Sequence, residues 1–433
     1  MKLVEDNAKK LAKMQTSHDI NFSETEKGAL KTNSVMNVML ILLNDKSLKG
    51  LFKFNEFTDA IDVIRKQQLQ LSTIPTLNFT KGQYEDKDTN SLEAYIEASP
   101  NYKHTVFKNA LIEQAVDNVA RANTYNPLVD YFNNCLKNWD KKRRVDNFFP
   151  TYLGAEKDET DILITRLWLM GAVAKAYNPL VKFDYVLDLV GGQGAGKTTL
   201  LQKLAPLGLY TDQFTTFTDK DDFEVMRNAL IVNDDEMTAS NRASFEEIKK
   251  FITMQKFEYR KSYGRNVSHF NKKFVISRTT NEIKHLKDKS GDRRFISILV
   301  NPDKQQKHPV TDLTQDYVDQ LWGEVVWLYQ QAKDPFILDK HQSDLLKKNR
   351  EQFMYTTSLE DELDDVLENT FADTDFIANT DLAYYLLGSQ DGFTNNRKAS
   401  REVRYYMQHK GWDAGARQRK ENGQSVRGFR KMS

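Results

Sequence analysis

A chain of 433 residues is long enough for two or three folded units, because single cores stop growing near ~250–300 residues. Its 39% hydrophobic and 28% charged content is ordinary for a globular protein, and a formal net charge of +1 means that any basic surface must be local. The single cysteine, Cys135, excludes an internal disulfide framework and a cysteine-rich zinc site, and reads as a small buried hydrophobe.

The N-terminal run MKLVEDNAKKLAKM is charged throughout and lacks the apolar centre of a signal peptide. The longest apolar run, Val38 to Leu43, falls far short of the ~18 residues that span a bilayer, so a cytoplasmic protein without a membrane partner is expected. Residues 1–35 are polar and read as a flexible tail. Residues 36–150 carry mostly amphipathic helical spacing, interrupted by short extended pieces near Leu51–Phe57 and Leu77–Phe79 and broken at Ser99-Pro100, and read as a mostly helical N-terminal domain.

The pattern changes within residues 151–355. A helix is expected over Asp161–Tyr177, then a short apolar strand over Tyr185–Val190. The strand runs into Gly191-Gly192-Gln193-Gly194-Ala195-Gly196-Lys197-Thr198, followed by Thr199 and a helix to Leu204. A glycine loop between strand and helix turns backbone N–H groups inward around phosphate oxygens, and the helix N-terminus adds its positive end. Lys197 would reach the β- and γ-phosphates and the Thr198 hydroxyl would face Mg²⁺. The cofactors expected are therefore ATP and Mg²⁺. Further strands are expected at Ala229–Val232, Lys273–Ser277 and Phe295–Val300, with helix between them, which predicts an α/β fold with a parallel sheet.

The strand Ala229–Val232 ends in Asn233-Asp234-Asp235-Glu236, an acid cluster suited to hold the metal and polarise water. Glu236 is assigned to water activation, and Asp234 or Asp235 to the metal. Past the next strand, Asn281 is placed to orient the attacking water. Arg293 and Arg294, in a Gly-Asp turn, suit an arginine finger that neutralises charge on the transferred phosphoryl group.

Beyond the tryptophan-bearing helix Asp316–Ala332, residues 356–375 are acidic, and Glu360 to Asp375 read as a solvated acidic helix plus linker. Residues 376–433 reverse the sign and read as two helices plus a hairpin turning at Asn422-Gly423. That order predicts a small α+β winged-helix-like module whose second helix presents Arg397, Lys398, Arg401 and Arg404 to DNA.

The run FDYVLDLVGGQGAGKTTLLQKL, then ALIVNDDEM, YRKSYGRN, FVISRTTN and GDRRF, resembles the virulence-associated protein E (VapE) family of phages and genomic islands. The resemblance extends upstream through FKFNEFT and YNPLVDYFNNCLKNWD, covering about residues 35–355. It implies a P-loop NTPase core of the AAA+ type, grouped with superfamily 3 replicative helicases and working as a ring, usually hexameric, with ATP between subunits. It further implies a pore hairpin between the acid cluster and Asn281, where Arg260, Lys261, Tyr263, Arg265, His269 and Lys272 would contact DNA. Asn233 stands where family members often carry a carboxylate. The function expected is an ATP-dependent DNA helicase of a phage or mobile element, acting on single-stranded and forked DNA, with host or element replication proteins as further partners. Initiator or loader activity without unwinding, or a nucleotide-gated switch, are the alternatives. Residues 1–150 show no primase-type or nuclease-type acid cluster, so priming is not expected.

Overall fold

A computed structural model describes residues 20–260, 267–286, 293–355, 358–394, 396–419 and 425–432. The chain forms two compact units: one of Met1–Asn281 with Arg294–Ser343, the other of Glu282–Arg293 with Asp344–Ser433.

The first unit begins with a mixed, not mostly helical, subdomain. Helix α1 (Val35–Asn44) starts at Ser34, whose hydroxyl accepts the Asn37 N–H. Strands β1 (Phe52–Asn55), β2 (Ala60–Val63), the hairpin β3 (Gln67–Leu71) and β4 (Ile74–Phe79), and β5 (Gly82–Gln83) follow. Helices α2 (Asp86–Ala98) and α3 (Asn109–Arg121) and strand β6 (Thr124–Tyr125) complete it, with sheet order β5-β2-β1-β6. Leu42, Phe52, Val63, Leu92 and Val116 sit in its core. Strand β1 and the end of β4 form where short extended pieces are expected, while β2, β3, β5 and β6 escape the sequence pattern because they are short and little buried; β4 even contains Pro75 and shows three exposed positions.

The expected tail is also shorter than residue 35. Buried Asn37 exchanges hydrogen bonds with the Ser23 backbone, both at 2.8 Å, and Leu30 is buried. Residues 1–19 lie outside the described residues.

Helices α4 (Pro127–Lys137), α5 (Phe148–Leu153) and α6 (Glu159–Tyr177) lead into the main sheet, where α4 and α6 both pack on α12 (Gln315–Gln331). The boundary expected at 150 therefore falls nearer residue 126, since Tyr131 of α4 donates to Asp319 of α12 at 2.6 Å.

The sheet contains β7 (Val186–Val190), β8 (Tyr210–Thr211), β9 (Ile231–Asp234), β12 (Val275–Thr280) and β13 (Phe295–Leu299). All pairs are parallel and the order is β13-β7-β12-β9-β8. Every residue of β7, β9 and β12 is buried, as expected of parallel strands covered by helices on both faces. Trp168 of α6 donates its indole N–H to Ile276 O of β12 at 2.9 Å, and Trp322 of α12 donates to Leu204 O at 2.9 Å.

Helix α8 (Lys220–Met226) precedes β9, and α9 (Thr238–Arg242) and α10 (Phe245–Thr253) follow it. The hairpin β10 (Lys256–Arg260) and β11 (Val267–Asn271) comes next, rooted on Phe251, Phe257 and Phe274.

The second unit runs α14 (Ser358–Asn369), β14 (Phe376–Ala378), α15 (Asn379–Leu387), α16 (Arg397–His409), β15 (Trp412–Arg419) and β16 (Ser425–Lys431), with sheet order β14-β16-β15. The acidic stretch, expected as a solvated helix plus linker, forms helix α14 over most of its length. Leu363 is fully buried beside Ile377, Val403 and Met407, while Asp361, Glu362, Asp365 and Glu368 are exposed and Glu360 is buried. The expected turn at Asn422-Gly423 lies outside the described residues.

Candidate nucleotide site

Parallel sheets place ligands at the carboxyl ends of their strands, where the connection reverses direction. Here β7 ends in the glycine loop, β12 beside it ends at Asn281, and β9 beyond ends in the acids. Strand order alone thus brings together segments that are 37 to 90 residues apart in sequence.

In the loop, Gly191, Gly192, Gly194 and Gly196 all have positive φ, at 93°, 53°, 81° and 81°. A Cβ on Gly192 would stand 2.7 Å from Pro302 Cδ, so a side chain there is excluded by space as well as by φ. Gln193 and Gly194 are exposed and Ala195 is buried. The loop is braced from a segment that sequence reasoning overlooked. The Gln305 side-chain amide donates to Ala195 O at 2.8 Å and Tyr152 O at 2.6 Å, and a His308 ring nitrogen lies 3.1 Å from Gly194 O. No motif marks that segment, and only its position after β13 could have pointed to it.

Helix α7 (Lys197–Leu204) leaves the loop with Thr198 and Thr199 half-buried in its first turn. The Lys197 ammonium donates to Gly191 O, to Gly192 O at 3.1 Å and to Asn281 Oδ1 at 2.9 Å. Burial lowers its pKa, opposed by the nearby Glu236 and Asp235 charges. Each of its three donors meets an oxygen, which phosphate oxygens would replace.

The acid cluster divides by role. Asp235 Oδ1 accepts the Thr198 hydroxyl at 2.7 Å, the Thr279 hydroxyl at 2.7 Å and the Asn233 amide at 3.3 Å. Asp234 points elsewhere: its two oxygens accept the Ala239 and Ser240 N–H groups, both at 2.8 Å, as a cap on α9. It is 2% exposed, and burial raises its pKa. The expected metal role for Asp234 is therefore corrected, because both its oxygens already serve as helix cap. Asn233 is buried, accepts Ser277 Oγ at 3.1 Å and donates to Tyr210 OH at 3.1 Å, which orients it toward Asp235. Mg²⁺ takes oxygen ligands and keeps several waters, so the Thr198 hydroxyl with one Asp235 carboxylate is a donor set that fits it. Among the described residues no cluster of three or more His, Cys, Asp or Glu suits a metal.

Glu236 is exposed and takes φ 50°, with Met237 at 51°. Two successive non-glycine residues in the left-handed region cost on the order of 1–3 kcal/mol each and persist where the surroundings hold them.

Arg294 lies just before β13, whose first residue pairs with Val186, the first residue of β7. It is thus at the edge of the sheet opposite the glycine loop, about 15 Å away at ~3.3 Å per residue. The structure does not bring it to the glycine loop of this chain. Arg293, next in the chain, is exposed.

The remaining expected DNA contacts separate. Lys261, Tyr263 and Arg265 lie outside the described residues, and Arg260 ends β10. His269 is exposed with its ring nitrogen 3.3 Å from Glu258. Lys272 is corrected: it is 2% exposed, donates to Phe251 O and Ile252 O at the end of α10, and burial pushes its pKa down to about 7. An ammonium so enclosed cannot track a phosphate. Its neighbour Lys273 is equally committed, donating to Phe57 O and Asp59 Oδ2, each at 2.8 Å. In the second unit Arg397, Lys398, Arg401 and Arg404 are all exposed on α16, while Ala399, Val403 and Met407 face the core. On the hairpin beside them Arg417 pairs directly opposite Arg427.

The virulence-associated protein E-like domain profile matches residues 132–355, just over half the chain. The chain belongs to this family. Its VapE-like domain starts within α4 and includes the glycine loop, the acids, the hairpin and β13, so the N-terminal subdomain and most of the second unit lie outside the match. Solved structures of the NrS-1 C-terminal region (305–718) are similar in part. The apo structure matches at 14% identity and TM-score 0.42, covering 93% of this chain and 100% of that chain. The A form matches at 14% identity and TM-score 0.42, covering 88% and 96%. No match is found among curated proteins. Among the described residues no helix is long and apolar enough to cross a membrane.

Proposed function

We propose that the chain is a Mg²⁺-dependent ATPase of the AAA+, superfamily 3 type that works as a replicative DNA helicase of a phage or mobile element. The observation that carries this reading is the meeting of Lys197, Thr198, Asp235 and Asn281 at the ends of three adjacent strands. Lys197 and the loop N–H groups hold phosphate, Thr198 and Asp235 hold the metal, and Glu236 takes the proton of the attacking water. The metal, when bound, offsets charge that builds on the β- and γ-oxygens.

Two elements support DNA as the partner: the β10–β11 hairpin, and the second unit read as a winged helix, with α16 as recognition helix and β15–β16 as wing. A ring with sites at subunit boundaries accounts for Arg294, which is too far from its own loop to serve it. Replacing Arg293 and Arg294 together with Ala should abolish turnover while sparing nucleotide binding. Mixing that variant with a Glu236→Gln variant should restore part of the turnover, because some interfaces then pair an intact finger with an intact base. No recovery at any mixing ratio counts against shared sites.

The experiment that tests the function is ATP hydrolysis with and without single-stranded DNA, run beside strand separation on forked DNA with a Lys197→Ala control. DNA-stimulated turnover and ATP-dependent unwinding are expected. ATP-dependent DNA binding without strand separation on any fork would favour an initiator or loader.

A further inference from the structure

Thr279 lies in the FVISRTTN run but has no role assigned to it there, yet it touches both halves of the acid cluster. It is fully buried on β12, between the loop strand and the acid strand. Its hydroxyl donates to Asp235 Oδ1 at 2.7 Å and accepts the Glu236 backbone N–H at 3.0 Å. A hydroxyl can do both at once, having one hydrogen and two lone pairs. We infer that Thr279 is a positioning residue for hydrolysis, one that holds the metal acid and the water-activating acid in fixed relation to each other. This inference rests on the ATPase reading of the site.

The argument has three steps. Asp235 Oδ1 is approached by two hydroxyls and an amide, from α7, β12 and β9, so its direction is set from three sides. Thr198 would turn to the metal once nucleotide binds, and the Asn233 contact is long at 3.3 Å. Thr279 is then the short contact that remains with Asp235. At the same time Glu236 is held at φ 50°, a conformation that an unrestrained residue leaves readily. The bond from its N–H to Thr279 opposes that relaxation. One buried hydroxyl on a neighbouring strand therefore keeps two consecutive carboxylates aimed at two different tasks.

The test compares Thr279→Val, which keeps shape and removes the hydroxyl, with Thr279→Ser, which keeps the hydroxyl. Hydrogen bonds to charged groups lead us to expect kcat for ATP to fall roughly ten- to hundredfold in the Val variant. KM and the affinity for a fluorescent ATP analogue without Mg²⁺ should move by less than threefold. The Ser variant should recover kcat to within threefold of the parent. A Val variant with kcat within threefold of the parent overturns the proposal. Equal loss of kcat and of metal-free nucleotide binding also overturns it, since that reports a collapsed loop.

If the parent protein hydrolyses no ATP with or without DNA, the ATPase reading fails separately. The increment in analogue affinity on adding Mg²⁺ then decides: unchanged in Thr279→Val, it overturns the role of Thr279, and lost there but kept in Thr279→Ser, it supports it.

Discussion

Glu236→Gln should lower ATP turnover by about 10²- to 10⁴-fold, the usual contribution of a positioned general base, while Mg²⁺-nucleotide binding changes by no more than a few-fold. The assignment follows from what the three acids already do. Asp234 spends both oxygens on the Ala239 and Ser240 N–H groups, and Asp235 accepts two hydroxyls. Glu236 is exposed, and among the described residues its carboxylate takes no hydrogen bond from a side chain. It is the acid left free to receive a proton, and its charge still acts on Lys197. Gln keeps size and polarity but cannot accept a proton, so chemistry is lost and binding is not. Phosphate release in the steady state and equilibrium titration with a fluorescent ATP analogue measure the two effects. A Gln variant that turns over within tenfold of the parent would sink the base assignment. Asp234→Asn should behave differently, with its main effect on α9 stability rather than on the metal dependence of turnover.

Much of this was legible in the sequence because the chemistry sits in local motifs. The glycine loop needs consecutive residues, and so do the acids after Ala229–Val232. Strand alternating with helix over residues 180–300 also gave the parallel sheet. What the sequence hid has physical reasons. Asp234 and Asp235 are adjacent and identical, and only the strand's pleat and the start of α9 send one into a cap and the other into the site. Lys272 reads as a phosphate-tracking residue, yet its ammonium is tied to the backbone carbonyls of Phe251 and Ile252. Thr279 and Gln305 act on the site only through strand order and the fold-back after β13, relations over long sequence distances that no window reveals. The acidic run near Leu363 reads as a solvated helix from composition, yet Leu359, Leu363 and Val366 give that helix an apolar stripe that packs on a core.

Removing one partner of the Asp188–Arg278 pair should cost about 3–5 kcal/mol of stability, because it strands an uncompensated buried charge. Asp188 is 0% exposed and Arg278 about 6%, and the pair is bidentate, with Nε to Oδ1 at 2.7 Å and Nη2 to Oδ2 at 2.6 Å. The register sets Arg278 between Asp188 on β7 and Asp234 on β9, and its guanidinium turns to Asp188, with Nη1 3.4 Å from Ser240 Oγ. Its other face rests 4.1 Å from the centre of the Phe295 ring at the start of β13. Asp188→Asn and Arg278→Met should each lower the urea midpoint strongly, read from tryptophan fluorescence, since Trp168 bonds to β12 itself. The double variant Asp188→Leu with Arg278→Met should recover much of the loss, because an apolar pair of similar volume needs no counter-charge. Its ATPase activity should remain impaired even so. The ion pair also fixes how β7 and β12 lie along each other, and that alignment sets Lys197 against Asn281. Single variants that each lose less than ~1 kcal/mol would show that water or neighbouring groups compensate the charge, and would remove this pair as the element that keys the loop strand to the strand ending at Asn281.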